Sequence, residues 1–231
     1  MARTDRVRGR QPNQKYGESP KKESETTMSE TDSAANYFDL VCNQRAQRDL
    51  KPDPVPQAII EKILEAGTHA PSAGNCQPWR FVVVQDPAVR RKISDGARAA
   101  WEGFARDMTK DTSAPGFKSV DQWAMGGLAE VPVIIVLCGD TQVLPLEQMG
   151  SSIFPAAQNI LLAANALGLA SLMSNLPLYA PNGTLAKVLG LPDHIVPLAT
   201  LPIGYPASKL GKPRRKPITE VTSRDRFGAE W

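Results

Sequence analysis

The spacing of apolar side chains predicts three helices in the N-terminal half of the chain. Apolar positions three and four residues apart indicate one helix over residues 36–44 and a second that ends near Ala66. Asp53, which lies among prolines, is the predicted N-cap of the second helix. Asp86 followed by a proline predicts the start of a third helix, which continues to about Ala100.

Unbroken runs of apolar and β-branched residues predict buried strands. The longest of these runs, over residues 131–138, predicts a central strand that is covered on both faces. Further strands are predicted over residues 81–85, 169–175 and 196–203. A short helix over residues 184–189 precedes the last strand, and Gly190 is its expected stop.

Residues 148–186 include no charged side chain, so a membrane span has to be considered. Pro155 and several amide side chains interrupt the apolar run, and the flanking positive charges typical of a span are missing. A helix that is apolar all round also fits the core of a large domain. We therefore predict a buried helix over residues 153–167 and no membrane partner.

Composition indicates one globular domain behind a polar tail. The chain has 231 residues, of which 42% are hydrophobic and 22% charged, enough for a substantial single core. Residues 1–34 nearly lack large apolar side chains and cannot offset their ordering entropy, so we predict a disordered tail. The folded domain is then expected over residues 35–231.

Charge and cysteine content argue against several classes of function. The net charge of +3 is spread evenly and no basic helix is present, so a nucleic-acid partner is not predicted. The three cysteines lie far apart without a C-x-x-C pair, and there are only two histidines. Neither a disulfide framework nor a metal site is therefore predicted, and a reduced, cytoplasmic compartment fits best.

A rigid polar turn separates the second predicted helix from the first predicted strand. Pro71 and Pro78 each fix φ and lack an N–H, so neither element continues through the turn. Ser72, Asn75 and Gln77 offer hydroxyl and amide groups that suit a planar ligand rich in donors and acceptors. Local physics alone favours the alternative, a connection whose polar groups satisfy its own backbone.

Four segments of the chain resemble, in order, the motifs of the flavin-dependent nitroreductase family. They are R-A-Q-R-D-L at 45–50, A-P-S-A-G-N-C-Q-P-W at 70–79, the helical segment 155–169, and I-G-Y-P-A at 203–207 with R-R-K-P at 214–217. The resemblance extends from about residue 36 to the C-terminus. It implies an α+β fold, in which helices flank a central, mostly antiparallel sheet, and an intertwined homodimer with helix 153–167 at the subunit interface.

The resemblance implies FMN as the cofactor and places its phosphate at the N-terminal arginines. Arg45 and Arg48 are three residues apart, so a helical turn would put both on one face. Two guanidinium groups suit a phosphate, although alone they would be read as solvated surface arginines. Arg215 aligns with a third phosphate-binding position, with Arg214 as its substitute. Many relatives carry serine where this chain has Ala46, so one hydroxyl contact is missing.

The resemblance also assigns the other cofactor contacts. The predicted contacts to the ribityl chain or pyrimidine edge, from either subunit, are Pro71, Ser72, Asn75 and Gln77. The backbone near Asn175 and Leu176 is expected to face the reactive N5 atom. Many relatives have a different polar residue at Asn175, so the role of its side chain stays open.

Residues 101–127 scatter aromatic side chains among polar residues and allow two interpretations. One is a peripheral pair of helices with a small core of its own. The other is a lid that covers the flavin and shapes the substrate site, with Phe104 and Trp123 as the substrate contacts.

The sequence shows no nucleophile or acid–base set, and no Rossmann, P-loop or G-x-S-x-G motif. This suits a flavoenzyme, because the cofactor carries the chemistry and the protein binds and orients it. The resemblance implies hydride transfer from NAD(P)H to flavin N5, and then to a nitroaromatic, quinone or similar acceptor in a ping-pong cycle. Two alternatives remain: a divergent reaction such as flavin fragmentation, and a non-catalytic FMN-binding or storage protein.

Overall fold

The structure, a computed structural model, describes residues 30–108, 112–113 and 116–231, with the backbone alone for residues 30–35. The α-helices are α1 (Glu30–Asn43), α2 (Gln57–Thr68), α3 (Pro87–Ala100), α4 (Phe117–Gln122), α5 (Leu128–Glu130), α6 (Leu146–Ala166), α7 (Thr184–Leu189) and α8 (Ile218–Val221). The strands are β1 (Trp79–Val84), β2 (Val133–Asp140), β3 (Ala170–Ser171) and β4 (Ile195–Gly204). Most of the predicted tail, residues 1–29, lies outside the described residues.

The strands form one antiparallel sheet in the order β1-β2-β4-β3. All eight residues of β2 are buried, as its unbroken apolar run predicts for a central strand. Successive side chains of a strand point to opposite faces, so Ile135 and Leu137 enter one core while Ile134 and Val136 enter the other. Helices cover both faces of the sheet, which confirms the predicted α+β class.

The two cores are built by different helices. In the first core, Ile63 of α2 packs with Ile153 and Ile160 of α6, and all three side chains are fully buried. In the second core, Ile93 of α3 packs with residues of the 101–130 region and of α7. Among the described helices, none combines the length and the apolarity that crossing a bilayer would need.

One helix start and one helix end follow the local chemistry that the sequence predicted. The Asp86 carboxylate accepts hydrogen bonds from the N–H groups of Ala88 and Val89, each at 2.9 Å, and so caps α3. Helix α7 ends at Gly190, which adopts the left-handed φ of 64° that only glycine takes without strain. Both sequence predictions are confirmed.

Other boundaries differ from the prediction. Helix α1 begins at Glu30 and not near residue 36. Helix α2 begins after Pro56 rather than at Asp53, and no side chain caps it. Helix α6 begins well before residue 153 and includes Pro155, because the buried apolar face of the helix outweighs the single N–H that proline lacks. The predicted strand over 169–175 shrinks to β3, since only its two residues pair continuously with β4.

Candidate functional site

The segment with the N-terminal arginines is extended and lies along the edge of the sheet. Ala46 forms a parallel bridge with Ser171 of β3, and the Gln47 N–H donates to the Ser171 carbonyl at 3.1 Å. The predicted helical turn that would place Arg45 and Arg48 on one face is therefore wrong. Backbone pairing with a distant strand overrides the local spacing on which that prediction rested.

A cavity of about 680 Å³ lies beside this extended segment. It is bordered by the end of α1, by residues 168–171 and by residues 206–210. Two cations, Arg45 and Lys209, line it together with several hydroxyl and amide side chains, and no carboxylate is among its lining residues. A concave surface with positive charge and neutral donors suits an anionic ligand.

Side chains of the extended segment hold the C-terminal wall of this cavity. The Arg45 Nη1 donates to the Gly211 carbonyl at 2.7 Å, and the Gln47 Nε2 donates to the Ser208 carbonyl at 2.6 Å. These bonds fix the backbone of residues 208–211, shortly before Arg214 and Arg215 in the chain. Arg214 and Arg215 are exposed and do not line the cavity. Gln47 was not predicted from the sequence, because nothing in the residues around it indicates that its carboxamide binds a distant backbone carbonyl.

Arg48 provides the test of whether the site fits a phosphate. Its Nε is buried and has no hydrogen-bond partner among the residues that the structure describes, and burial lowers the pKa of the guanidinium. A buried donor without a partner costs about 1–3 kcal/mol of stability, and a hydrogen-bond acceptor on a ligand would remove this cost. A phosphate oxygen is such an acceptor, and a planar guanidinium matches it geometrically. The Arg48 guanidinium, which is not among the residues that line the cavity, therefore fits an anionic group such as the phosphate of FMN.

The polar turn over residues 70–78 partly satisfies itself, as the local alternative predicted. The Ser72 hydroxyl accepts from the Gln77 N–H at 3.0 Å, and the Gln77 Nε2 donates to the side-chain Oδ1 of Asn75 at 3.4 Å. Asn75 and Gln77 both have left-handed backbones, with φ of 56° and 49°. Such strain in non-glycine residues clusters at ligand sites, and both side chains are exposed here.

Helix α6 anchors this turn. Ser152 is fully buried, and its hydroxyl lies 3.2 Å from the Ala73 N–H, which donates to it. Sequence reasoning missed Ser152, since a serine inside an apolar helix gives no sign of a partner far away in the chain. The turn is thus fixed to the central helix by a side chain as well as by its prolines.

Replacing Ser152 with alanine is expected to loosen the turn, because the Ala73 N–H loses its acceptor. We expect a loss of about 1 kcal/mol in unfolding free energy and faster hydrogen exchange at the Ala73 amide. Ser151→Ala is the matched control, since that exposed hydroxyl bonds only the Gln148 carbonyl one turn away. Equal exchange rates in the two variants would contradict the anchoring role.

The predicted N5-facing segment is held against the sheet. Ser174 pairs through its backbone with Thr200 of β4, and its hydroxyl accepts from the Leu176 N–H at 3.2 Å. A 3₁₀ turn over Leu176–Tyr179 follows directly. None of Asn175, Leu176 or the polar turn lines the cavity beside Arg45. Within this chain, the predicted cofactor contacts therefore do not share one cavity.

The region over residues 101–127 contributes Trp101 and Trp123 to the second core and so does not have a core of its own. Trp123 is only 4% exposed and packs in the second core, so its predicted contact with substrate is corrected to a packing role. The Trp101 indole donates to Asp121 at 2.9 Å and ties the two halves of the region together. Phe104 is 38% exposed, so part of its side chain is accessible from solvent.

Tyr179 is an exposed aromatic residue that the sequence did not single out. It lies at the end of the turn that begins with Leu176, and 58% of the residue is exposed. Its ring meets that of Phe104 edge to face, with centroids 5.6 Å apart and planes at 83°. The pair joins the 101–127 region to the segment predicted to face the flavin.

Comparisons with known proteins identify the family of the chain. Residues 42–205 match the model of the nitroreductase family, so the chain belongs to that family. The chain is 30% identical to iodotyrosine deiodinase 1 of Rattus norvegicus over 80% of this chain and 68% of that protein. It is 27% identical to an NADH dehydrogenase of Thermus thermophilus, over 77% and 90% of the respective chains.

A solved structure shows the same fold. A nitroreductase with bound FMN from Desulfitobacterium hafniense superposes with a TM-score of 0.67 at 22% identity, covering 86% of this chain and all of the other. At this identity the likeness establishes the architecture. The predicted family and fold class are thus both confirmed.

Proposed function

We propose that this protein is an FMN-dependent oxidoreductase that takes electrons from NAD(P)H and passes them to a nitroaromatic, quinone or similar acceptor. The observation that carries the proposal is the buried Arg48 Nε, which has no partner among the described residues. Arg45 of the same extended segment lines a cavity together with Lys209 and neutral donors. When bound, FMN would accept a hydride from the nicotinamide and deliver it to the second substrate.

Different residues of the chain bind different parts of the cofactor. Arg48 binds the phosphate, while Arg45 contributes positive charge and holds the wall that leads to Arg215. The strained turn presents Asn75 and Gln77 to the polar edge of the cofactor, and its two prolines keep these groups in place without the ligand. Because donor and acceptor would share one exposed face, we expect ping-pong kinetics.

A second copy of the chain is proposed to complete the site. The polar turn does not line the cavity of its own protomer. Large apolar side chains are also exposed on α1, on α6 and in the C-terminal tail, among them Tyr37, Phe38, Phe154 and Phe227. Apolar patches of this kind favour burial against a partner. We therefore expect a homodimer, which light scattering on the purified protein would test.

The decisive experiment is an absorption spectrum of the purified protein, followed by anaerobic titration with NADPH and NADH. We expect the protein to show flavin absorption bands that bleach with at least one of the two nicotinamides. Once a quinone is added, we expect steady consumption of that nicotinamide. A flavin that is bound but never reduced would leave only a binding or storage role. A protein that is colourless and refuses added FMN would refute the cofactor assignment. Mass analysis after turnover should recover intact FMN, which distinguishes reduction from flavin fragmentation.

Reductive removal of halogen is a second candidate, because relatives named iodotyrosine deiodinase reach 30% identity. The 101–127 region, however, exposes the apolar side chains of Phe104, Met108 and Met125. Such a surface suits an apolar aromatic acceptor better than the charged head group of an amino acid. Iodide release from 3-iodo-L-tyrosine by the reduced protein, at a rate above that of quinone reduction, would favour the second candidate.

Tyr179→Ala is expected to raise the KM for aromatic acceptors about five-fold while leaving ferricyanide reduction unchanged. An edge-to-face aromatic contact contributes about 0.5–1.5 kcal/mol, and its loss frees the Phe104 ring from a fixed orientation. Tyr179→Phe should keep the parent KM, since the ring remains. Val143→Ala is the control, because it removes another exposed apolar side chain, 40% accessible, from the turn after β2. The same KM in Tyr179→Ala and Val143→Ala would refute the role.

A further inference from the structure

One turn at the end of α3 has π geometry instead of α geometry. The turn covers Trp101–Ala105, and the Arg106 N–H donates to the Trp101 carbonyl at 3.0 Å. Single π turns are rare and occur frequently at functional sites. Phe104 lies inside this turn, and its partly exposed ring meets that of Tyr179 edge to face. The π turn therefore sets the position of an aromatic pair that is open to solvent.

A single carboxylate oxygen holds both ends of the π turn. The Oδ1 atom of Asp121 in α4 accepts a hydrogen bond from the Trp101 indole at 2.9 Å and lies 3.6 Å from the Arg106 Nε. The Trp101 side chain is buried, so its indole N–H needs an acceptor within the protein. The Arg106 contact is partly exposed and stabilises the turn little. The bond from the indole is therefore the one that fixes the turn.

We infer that Asp121 is a positioning residue that determines the specificity for aromatic acceptors. The inference rests on the proposed function, because it requires an acceptor that binds beside Phe104 and Tyr179. Without the Asp121 carboxylate, the buried indole loses its acceptor and the turn relaxes toward α geometry, which changes the direction of the Phe104 side chain. Phe104 then no longer meets Tyr179, and a planar acceptor loses the aromatic surface that this pair offers.

The test compares a naphthoquinone with ferricyanide as the electron acceptor of the FMN-loaded protein. Ferricyanide is a small inorganic ion without an aromatic ring, so its KM should not depend on Phe104. Asp121→Ala is expected to raise the KM for the naphthoquinone about five-fold, as the loss of an aromatic contact implies, and to leave the KM for ferricyanide within about two-fold. Trp101→Phe removes the indole N–H, keeps a buried ring and should give the same increase. The two changes together should raise the KM no further, because both break the same hydrogen bond.

Two control variants and one structural measurement accompany the kinetics. Asp121→Asn keeps an oxygen that accepts from the Trp101 indole and should keep the parent KM. Asp95→Ala removes a carboxylate from an exposed ion pair with Arg98 and should also keep the parent KM. Hydrogen exchange at the Arg106 amide, measured without any acceptor, should be faster in Asp121→Ala and Trp101→Phe, because this amide closes the π turn.

An unchanged naphthoquinone KM in Asp121→Ala, an equal rise for ferricyanide, or an equal rise in Asp95→Ala would overturn the inference and leave the proposed function intact. A rise in KM without faster exchange at the Arg106 amide would also overturn it, since the effect would then not pass through the π turn. A parent protein that reduces neither acceptor would refute the proposed function, and this inference with it.

Discussion

Arg48→Met is expected to weaken FMN binding by roughly 100-fold and at the same time to stabilise the apoprotein by about 1 kcal/mol. The first effect follows because the phosphate loses the guanidinium group that is proposed to donate hydrogen bonds to it. The second follows because the apoprotein no longer buries an Nε without a partner, a group whose pKa burial lowers. Methionine retains a long, flexible, apolar stem of similar reach.

Two measurements separate these effects. Fluorescence titration gives the FMN dissociation constant, and urea unfolding of the apoprotein gives its stability. Arg98→Met is the control, since Arg98 is exposed and forms only a surface ion pair with Asp95 at 3.4 Å. Neither quantity should change in the control. A less stable apoprotein, together with unchanged FMN affinity, would show that Arg48 is a structural residue.

Ile160→Ala is expected to cost about 3 kcal/mol of unfolding free energy, because Ile160 is fully buried in the first core and alanine leaves a cavity. Gly67 of α2 faces it so closely that an added Cβ would lie 2.8 Å from the Ile160 Cγ1. Gly67→Ala alone should therefore destabilise by about 1–3 kcal/mol through overpacking.

The double variant should be more stable than the sum of the two losses predicts. The space left by Ile160→Ala receives the new Cβ at position 67, so the overpacking of the single Gly67→Ala variant is relieved. A coupling of about 1–2 kcal/mol is expected from a complete urea-unfolding cycle. Strict additivity would show that α2 and α6 separate to absorb the extra methyl group. The outcome bears on function, since Ser152 of α6 anchors the polar turn.

The stretches that the sequence predicted correctly are those in which local chemistry is sufficient. The run over residues 131–138 is apolar at every position, which indicates a strand buried on both faces. The Asp86 cap and the Gly190 stop depend on groups within a few residues of each other. The family likewise follows from short motifs in order, and the match over residues 42–205 confirms it.

Some features of the candidate site were beyond local reasoning. The spacing of Arg45 and Arg48 predicted a helical turn, but pairing with β3 made the segment extended. Trp123 looked like a substrate contact and proved to be a core residue, because nothing in its neighbourhood along the chain encodes burial. Tertiary contacts between distant segments decide such questions.

The sequence by itself determined the family, the central strand, the caps of α3 and α7, and the residue types that can bind an anionic, polar cofactor. Only the tertiary structure decided which of these groups are satisfied within the protein and which still lack a partner. It left the Arg48 Nε without a partner among the described residues, paired Ala46 with Ser171 through the backbone, and set the ring of Tyr179 against that of Phe104. The physical reason is that hydrogen-bond satisfaction and burial depend on long-range packing, whereas strand, cap and turn preferences act over a few residues.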